Sequence, residues 1–122
     1  MPLVRITARD SRSSAALDAL GDAVHTALVE TMNVPPDDRF QIRARVPAAE
    51  LVADAQYLGI ERRDPVIVEI SLRAGRTVEM KRAFYARVVE LAGIRPEDVT
   101  IVLNENGPAD WSFGNGVAQY AT

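Results

Sequence analysis

Pro2 offers the most unusual chemistry in this chain. It follows Met1 and precedes an apolar run, Leu3-Val4-Arg5-Ile6-Thr7. Removal of Met1 would leave Pro2 with a free secondary amine, a group that no side chain supplies. An α-amino group ordinarily titrates at roughly pH 7.7–8.0, so its surroundings can set it to act as base or acid near neutrality. The same amine can condense with a carbonyl to an iminium. With Met1 retained, the Pro2 nitrogen is an amide and this chemistry is absent. The second group of candidates is Arg73 and Arg76, in the turn Arg73-Ala74-Gly75-Arg76. Guanidiniums grip carboxylates in bidentate fashion, so an amine beside two of them makes a cationic pocket suited to an anionic substrate. The structural alternative makes Arg73 a solvated turn residue and Arg76 a flank of the helix that follows.

Composition narrows the field. The 122 residues suggest one domain, 1–122, and 48% of them are hydrophobic, enough for a packed core. Cysteine is absent, which removes disulfides, thiolate metal sites and a cysteine nucleophile and fits a cytoplasmic protein. His25 is the one histidine, so no metal site is expected within the chain. No apolar run approaches the roughly 20 residues of a membrane span, and no signal peptide is recognisable. The net charge of −3 gives no general attraction to nucleic acid. Lys81 is the only lysine among 14 basic residues, a bias that fits a GC-rich genome.

Two β-α-β units must position the candidates. In residues 2–8, Val4 and Ile6 alternate with Leu3, Arg5 and Thr7, the pattern of a strand. Asp10 to Ser14 supplies turn and cap residues, and Leu17, Leu20, Val24, Leu28 and Met32 then mark one face of a helix from Ser13 to about Met32. Asn33 and Val34-Pro35-Pro36 end it, and residues 39–46 alternate as a second strand. Residues 47–65 connect the halves, with a short helix opening at Pro47-Ala48-Ala49-Glu50 and a short extended piece at Tyr57-Leu58-Gly59-Ile60. The second half repeats the first. Val66 to Ser71 matches residues 2–7 at an offset of 64, and Arg76-Thr77 matches Arg12-Ser13. Thr77 to about Ala92 reads as a helix with Met80, Phe84, Val88 and Leu91 on one face, about one turn shorter than the first. Ile94-Arg95-Pro96-Glu97-Asp98 matches Val34-Pro35-Pro36-Asp37-Asp38 at an offset of 60. Val99 to Leu103 is the fourth strand, whose in/out phase matches 39–46 only with a one-residue slip. Residues 104–122 form a tail rich in glycine and aromatics.

The expected fold is α+β: two tandem repeats, about 2–46 and 66–105, making a four-stranded mixed sheet with two helices on one face. Each repeat is a parallel pair with a right-handed crossover. If a pseudo-twofold axis relates them, strands 2–7 and 66–71 run antiparallel. Pro2 then lies close to Ser71, Leu72 and Arg73. Two helices cover only one face of such a sheet. The bare face carries Leu3 and Ile67 beside Arg5 and Glu69, which predicts burial against further copies in a closed homo-oligomer.

These residues together resemble the tautomerase superfamily, and within it the malonate semialdehyde decarboxylase family. The segments that carry the resemblance are Met1-Pro2-Leu3, Asp38-Arg39-Phe40-Gln41, Gly75-Arg76-Thr77 with Lys81, and Glu105-Asn106 with Ala109-Asp110-Trp111-Ser112-Phe113-Gly114. The resemblance implies the tautomerase fold, a homotrimer of fused two-repeat chains, and neither metal nor organic cofactor. It makes Pro2 the catalytic amine, Asp38 the acidic residue near it, and Arg76 a substrate-binding arginine. The decarboxylase spaces its arginines Arg-x-Arg, whereas Arg73 and Arg76 are two residues apart, as in the related cis-3-chloroacrylic acid dehalogenases. The histidine role of those dehalogenases does not transfer to His25, which sits at a different turn of its helix.

The implied reaction is decarboxylation of malonate semialdehyde, 3-oxopropanoate, to acetaldehyde and carbon dioxide, with hydratase activity beside it. Loss of carbon dioxide leaves an enolate, so the carbonyl oxygen needs a positive partner. Protonated Pro2, held cationic by Asp38, supplies one. Arg73 and Arg76 hold the carboxylate. Trp111, Phe113, Phe40 and Tyr120 wall the pocket from water, or else are ordinary core and interface aromatics. Three alternatives stand beside this. An unprotonated Pro2 makes a keto–enol tautomerase, and a haloacrylate substrate makes a dehalogenase or hydratase. A retained Met1 makes a non-catalytic trimeric binding protein.

Overall fold

The computed structural model describes residues 2–121. Its strands are β1 (Leu3–Arg9), β2 (Phe40–Val46), β3 (Val66–Arg73) and β4 (Val99–Asn106), and its helices α1 (Ser14–Met32) and α2 (Val78–Ala92). The sheet order is β2-β1-β3-β4. Each outer strand runs parallel to its inner neighbour, and the two inner strands run antiparallel. This is the expected pair of β-α-β units back to back.

Local signals set the helix ends. Ser13 caps α1 and Thr77 caps α2; each side-chain oxygen accepts a backbone N–H three residues on, at 3.1 Å from Ala16 and 3.2 Å from Met80. Asn33 and Gly93 close the helices in the left-handed region, at φ 58° and 70°. The lengths, 19 and 15 residues, differ by about the expected turn. The α1 stripe Leu17, Leu20, Val24, Leu28 and Met32 is buried throughout. On α2 the inward stripe follows steps of four, with Phe84 and Val88 buried and Met80 and Ala92 partly buried, so Leu91 falls to its side and is exposed. Both stripes pack onto Val4, Ile6 and Ala8 of β1 and Val66, Val68, Ile70 and Leu72 of β3, which are all buried.

Three local expectations are corrected. Tyr57 to Gly59 forms a tight turn rather than an extended piece, with Leu58 at φ 61° and Ile60 N–H bonded to the Tyr57 carbonyl. The fourth strand runs past Leu103 to Asn106, because Asn104, Glu105 and Asn106 continue the ladder against Ser71, Leu72 and Arg73. The one-residue slip does not occur. Leu3 pairs with Phe40 and Ile67 with Thr100, so β2 and β4 hold equivalent registers.

What changes between the two outer strands is which face is apolar. On β4 the residues facing the helices are Val99, Ile101 and Leu103, packed on the core. On β2 the same face carries Gln41 and Arg43, continued by Arg39 just before the strand. There Arg39 pairs with Asp22 at 2.7 Å, Arg43 with Asp18 at 2.9 Å, and the Gln41 amide donates to the Gly21 carbonyl at 2.9 Å. The packing is close: a Cβ on Gly21 would lie 2.6 Å from Gln41 Oε1, so the end of that side chain would have to shift. The apolar residues of β2, Phe40 and Ile42, are thereby turned to the bare face, where Leu3 and Val102 are also exposed.

Candidate active site

The start of β1 lies between the start of β2 and the end of β3. Leu3 pairs with Phe40 on one side and with Ser71 on the other. Pro2, the residue before, is buried there, between the segments Asp38 to Phe40 and Ser71 to Arg73. The antiparallel pairing of β1 with β3 is what brings residue 2 to the arginine turn, as expected. Met1, on which the amine depends, lies outside the described residues.

Arg76 is half-buried and well anchored. Its Nε and Nη2 donate to the Met32 carbonyl at 3.3 and 3.1 Å, and its Nη1 donates to the Arg73 carbonyl at 2.8 Å. Met32 is the last residue of α1, so the guanidinium satisfies an otherwise orphaned carbonyl at the negative end of that helix. Burial and then the nearby Arg73 lower the Arg76 pKa, while Asp38 and Glu105 oppose that shift. An arginine remains charged under such a shift. The four groups Asp38, Arg73, Arg76 and Glu105 thus share one electrostatic neighbourhood, with Lys81 ion-paired to Glu105. Arg73 is exposed at the end of β3.

The aromatic residues form a cleft of about 530 Å³, lined by Leu3, Phe40, Ser71, Asn106, Trp111 and Phe113 among others. Trp111 stacks on Phe113 at 5.3 Å with the rings within 1° of parallel. Phe40 meets Phe113 at 5.5 Å, and Tyr120 meets it edge-on at 5.7 Å. All four aromatics singled out from the sequence therefore form one cluster, centred on Phe113. Arg73 and Arg76 line a recess of their own, about 310 Å³, with Met32, Asn33 and Met80. Sequence reasoning did not single out Ser71 or Asn106 as cleft residues; the alternation of β4 continued beyond Leu103 would have pointed to Asn106. His25 belongs to neither cavity. Its Nε2 meets the Pro36 carbonyl at 2.8 Å and braces the turn that leads to Asp38. No cluster of metal-ligating side chains occurs among the described residues.

The internal repeat places a second, closed version of this arrangement at the other end of the sheet. Asp98 stands where the first half has Asp38, and Arg12 where the second half has Arg76. The two aspartates enter matching turns, their N–H groups bonded at 3.0 Å to the carbonyls of Pro35 and Arg95. The repeat equates Met1-Pro2 with Pro65-Val66, so at this end the continuous chain occupies the approach. Asp98 is only 2% exposed. It accepts the N–H of Arg63 at 2.8 Å and of Asp64 at 3.2 Å, and pairs with Arg95 at 3.1 Å and Arg12 at 3.5 Å. Burial pushes its carboxyl up, but the two N–H groups and the two arginines outweigh that and hold it below its ordinary value.

Comparison with known proteins gives a consistent picture. A family described as tautomerase enzyme matches residues 38–114, and a second of the same description matches residues 2–59. "Probable tautomerase YusQ" of Bacillus subtilis (strain 168) is 41% identical over 98% of both chains. The structure of FG41 malonate semialdehyde decarboxylase inhibited by 3-bromopropiolate superposes with a TM-score of 0.91 at 41% identity, covering 97% of this chain and 93% of that one. A malonate semialdehyde decarboxylase described with decarboxylase and hydratase activities, solved also with its first-residue proline changed to alanine, gives 0.87 at 34% identity, covering 97% and 95%. A fused 4-OT symmetric trimer gives 0.76 at 27% identity, covering 97% of each chain.

Proposed function

The chain belongs to the tautomerase family, and from that premise we propose that it is a cofactor-independent decarboxylase of malonate semialdehyde, with Pro2 as the catalytic amine once Met1 has been removed. The observation that carries this reading is the strand register that sets Pro2 between the Asp38 segment and the Arg73–Arg76 turn. Asp38 favours the cationic amine. Arg73 and Arg76 bind the substrate carboxylate and hold the scissile bond along the carbonyl π system. The Pro2 ammonium donates to the carbonyl oxygen as carbon dioxide leaves, stabilising the enolate, which is then protonated to acetaldehyde. The aromatic cleft shields the developing enolate from water. The likeness to two malonate semialdehyde decarboxylases supports this choice of substrate.

The test is an NMR assay of malonate semialdehyde, 3-haloacrylates and phenylpyruvate side by side, on protein whose N-terminus has been verified by mass spectrometry. Acetaldehyde formation faster than turnover of the other substrates is expected. Preferential ketonisation of phenylenolpyruvate would make the protein a tautomerase instead. The Arg-x-x-Arg spacing, shared with the dehalogenases, is the reason the haloacrylates are included.

Arg76→Ala should lower kcat/KM by roughly 10–100-fold, the worth of one charge-assisted contact, with KM raised and kcat lowered together. An unchanged kcat/KM would remove Arg76 from the site.

The active unit in this reading is a homotrimer located in the cytoplasm. Support comes from the bare sheet face, where Leu3, Phe40, Ile42 and Val102 are exposed, and from the fused symmetric trimer of the same fold. Sedimentation at micromolar concentration should give the mass of three chains, and Ile42→Asp, placing a charge in that face, should shift the protein toward smaller species. Wild-type protein sedimenting as a monomer would refute the assembly.

A further inference from the structure

Asn106 lines the aromatic cleft and is bonded through its backbone to the turn that carries the arginines. It ends β4 and pairs in register with Arg73, and its backbone carbonyl accepts the Ala74 N–H at 2.8 Å. Its backbone therefore belongs to the arginine turn. Its side chain belongs to the cleft, where Oδ1 accepts the Trp111 indole N–H at 2.6 Å. An indole nitrogen only donates, so this bond decides which end of the amide is oxygen. The amide nitrogen, with two N–H donors, is the end left over. Among the described residues it takes no hydrogen bond, and Asn106 lines the cleft directly beside Ser71 and Phe113.

The geometry points to Asn106 as a residue with two tasks: it positions Trp111, and it offers neutral N–H donors to an oxygen of an anionic oxo-acid lying between the cleft and the arginines. A neutral donor suits the place. A carboxylate there would repel the substrate, and an aliphatic side chain would leave both the indole N–H and the substrate oxygen without a partner. The choice of ligand rests on the proposed function; the positioning of Trp111 does not.

Trp111 is the only tryptophan, so tryptophan fluorescence reports the surroundings of this one indole. Two variants separate the tasks. Asn106→Asp keeps an acceptor for the indole but replaces the donor with negative charge. Asn106→Leu removes both, and Asn106→Ala substitutes for it should the leucine variant not fold. The aspartate variant should retain the wild-type emission maximum and acrylamide quenching, whereas the leucine variant should emit at a shifted wavelength and quench severalfold more readily. Malonate, an unreactive dianion, should bind about tenfold more weakly to the leucine variant by calorimetry, the worth of one hydrogen bond, and more weakly still to the aspartate variant, whose carboxylate repels it. KM for malonate semialdehyde should rise by a similar factor with kcat changed less than about threefold. Wild-type emission and quenching in the leucine variant would overturn the positioning role. Unchanged malonate affinity in the variants, or no malonate binding by the wild type, would overturn the donor role. A wild-type protein that binds malonate but does not decarboxylate the semialdehyde would sink the proposed reaction and leave the assignment of Asn106 standing.

Discussion

Pro2→Ala, in protein processed to expose residue 2, should slow decarboxylation of malonate semialdehyde by roughly 10²–10⁴-fold, the range for loss of one positioned acid or electrostatic donor. The variant keeps a terminal amine, so the loss measures geometry rather than charge. The pyrrolidine ring leaves the nitrogen no freedom about its own bond to Cα. A primary amine rotates freely there, and a displacement of about 1 Å at a reacting group can cost on the order of 10²-fold. Pro2 is also buried at the mouth of β1, where its ring packs and alanine would leave space. Protein that retains Met1 should be inactive for a different reason, because its residue 2 nitrogen is an amide that cannot be protonated near neutrality. Near-wild-type turnover in either form would end the assignment of Pro2. Measured as kcat against pH, wild-type activity should fall as the amine loses its proton at high pH; a rise there would mean that the unprotonated amine is the working form.

Asp98→Ala should destabilise the fold by about 2–4 kcal/mol, read from the denaturant midpoint. The lower figure reflects the partial exposure of Arg12 and Arg95, and the upper the cost of breaking a buried pair. Two N–H groups of the connecting segment and two guanidiniums lose their acceptor at once. The pH dependence follows from the direction of the shift. The folded carboxyl is held below its unfolded value, so the unfolded chain binds more protons and stability rises with pH across that window. The contribution is complete above the unfolded value, roughly pH 4, and is lost as pH falls through the depressed folded value. Asp98→Asn should therefore flatten the acid limb of the stability curve while leaving the neutral-pH sheet intact. An acid limb identical to wild type would show that Asp98 is not among the groups that set it.

The equivalence of Asp98 and Asp38 in the repeat also bears on how the fused chain works. Both halves carry the same aspartate and the same arginine, and both place them at a strand mouth. At the Asp98 end the incoming chain supplies backbone N–H groups to the carboxylate. At the Asp38 end, in our reading, the Pro2 amine freed by removal of Met1 takes that place. The same carboxylate position is thus structural in one half and, in our reading, catalytic in the other.

Much of this was legible in the sequence because its causes are local. Ser13 and Thr77 announce helix starts by their own hydrogen bonds, Asn33 and Gly93 announce the ends by their tolerance of positive φ, and the stripes on α1 and the inner strands follow from the repeat of the backbone. Joined to a pseudo-twofold axis, the repeat offsets led to the antiparallel centre of the sheet, and with it to Pro2 lying near the arginine turn. Tertiary structure alone decided three things. The face on which β2 presents Phe40 and Ile42 depends on Gly21, Asp18 and Asp22 of a helix some twenty residues away, because partners, not alternation, tell a strand which side is core. The separation of aromatics from arginines into two cavities follows from how residues 104–121 return across the end of the sheet. The double attachment of Asn106 arises because β4 runs three residues beyond its apolar core, and pattern carries no signal where polar side chains continue a ladder. Each of these depends on contacts between segments distant in the chain, which side-chain periodicity cannot encode.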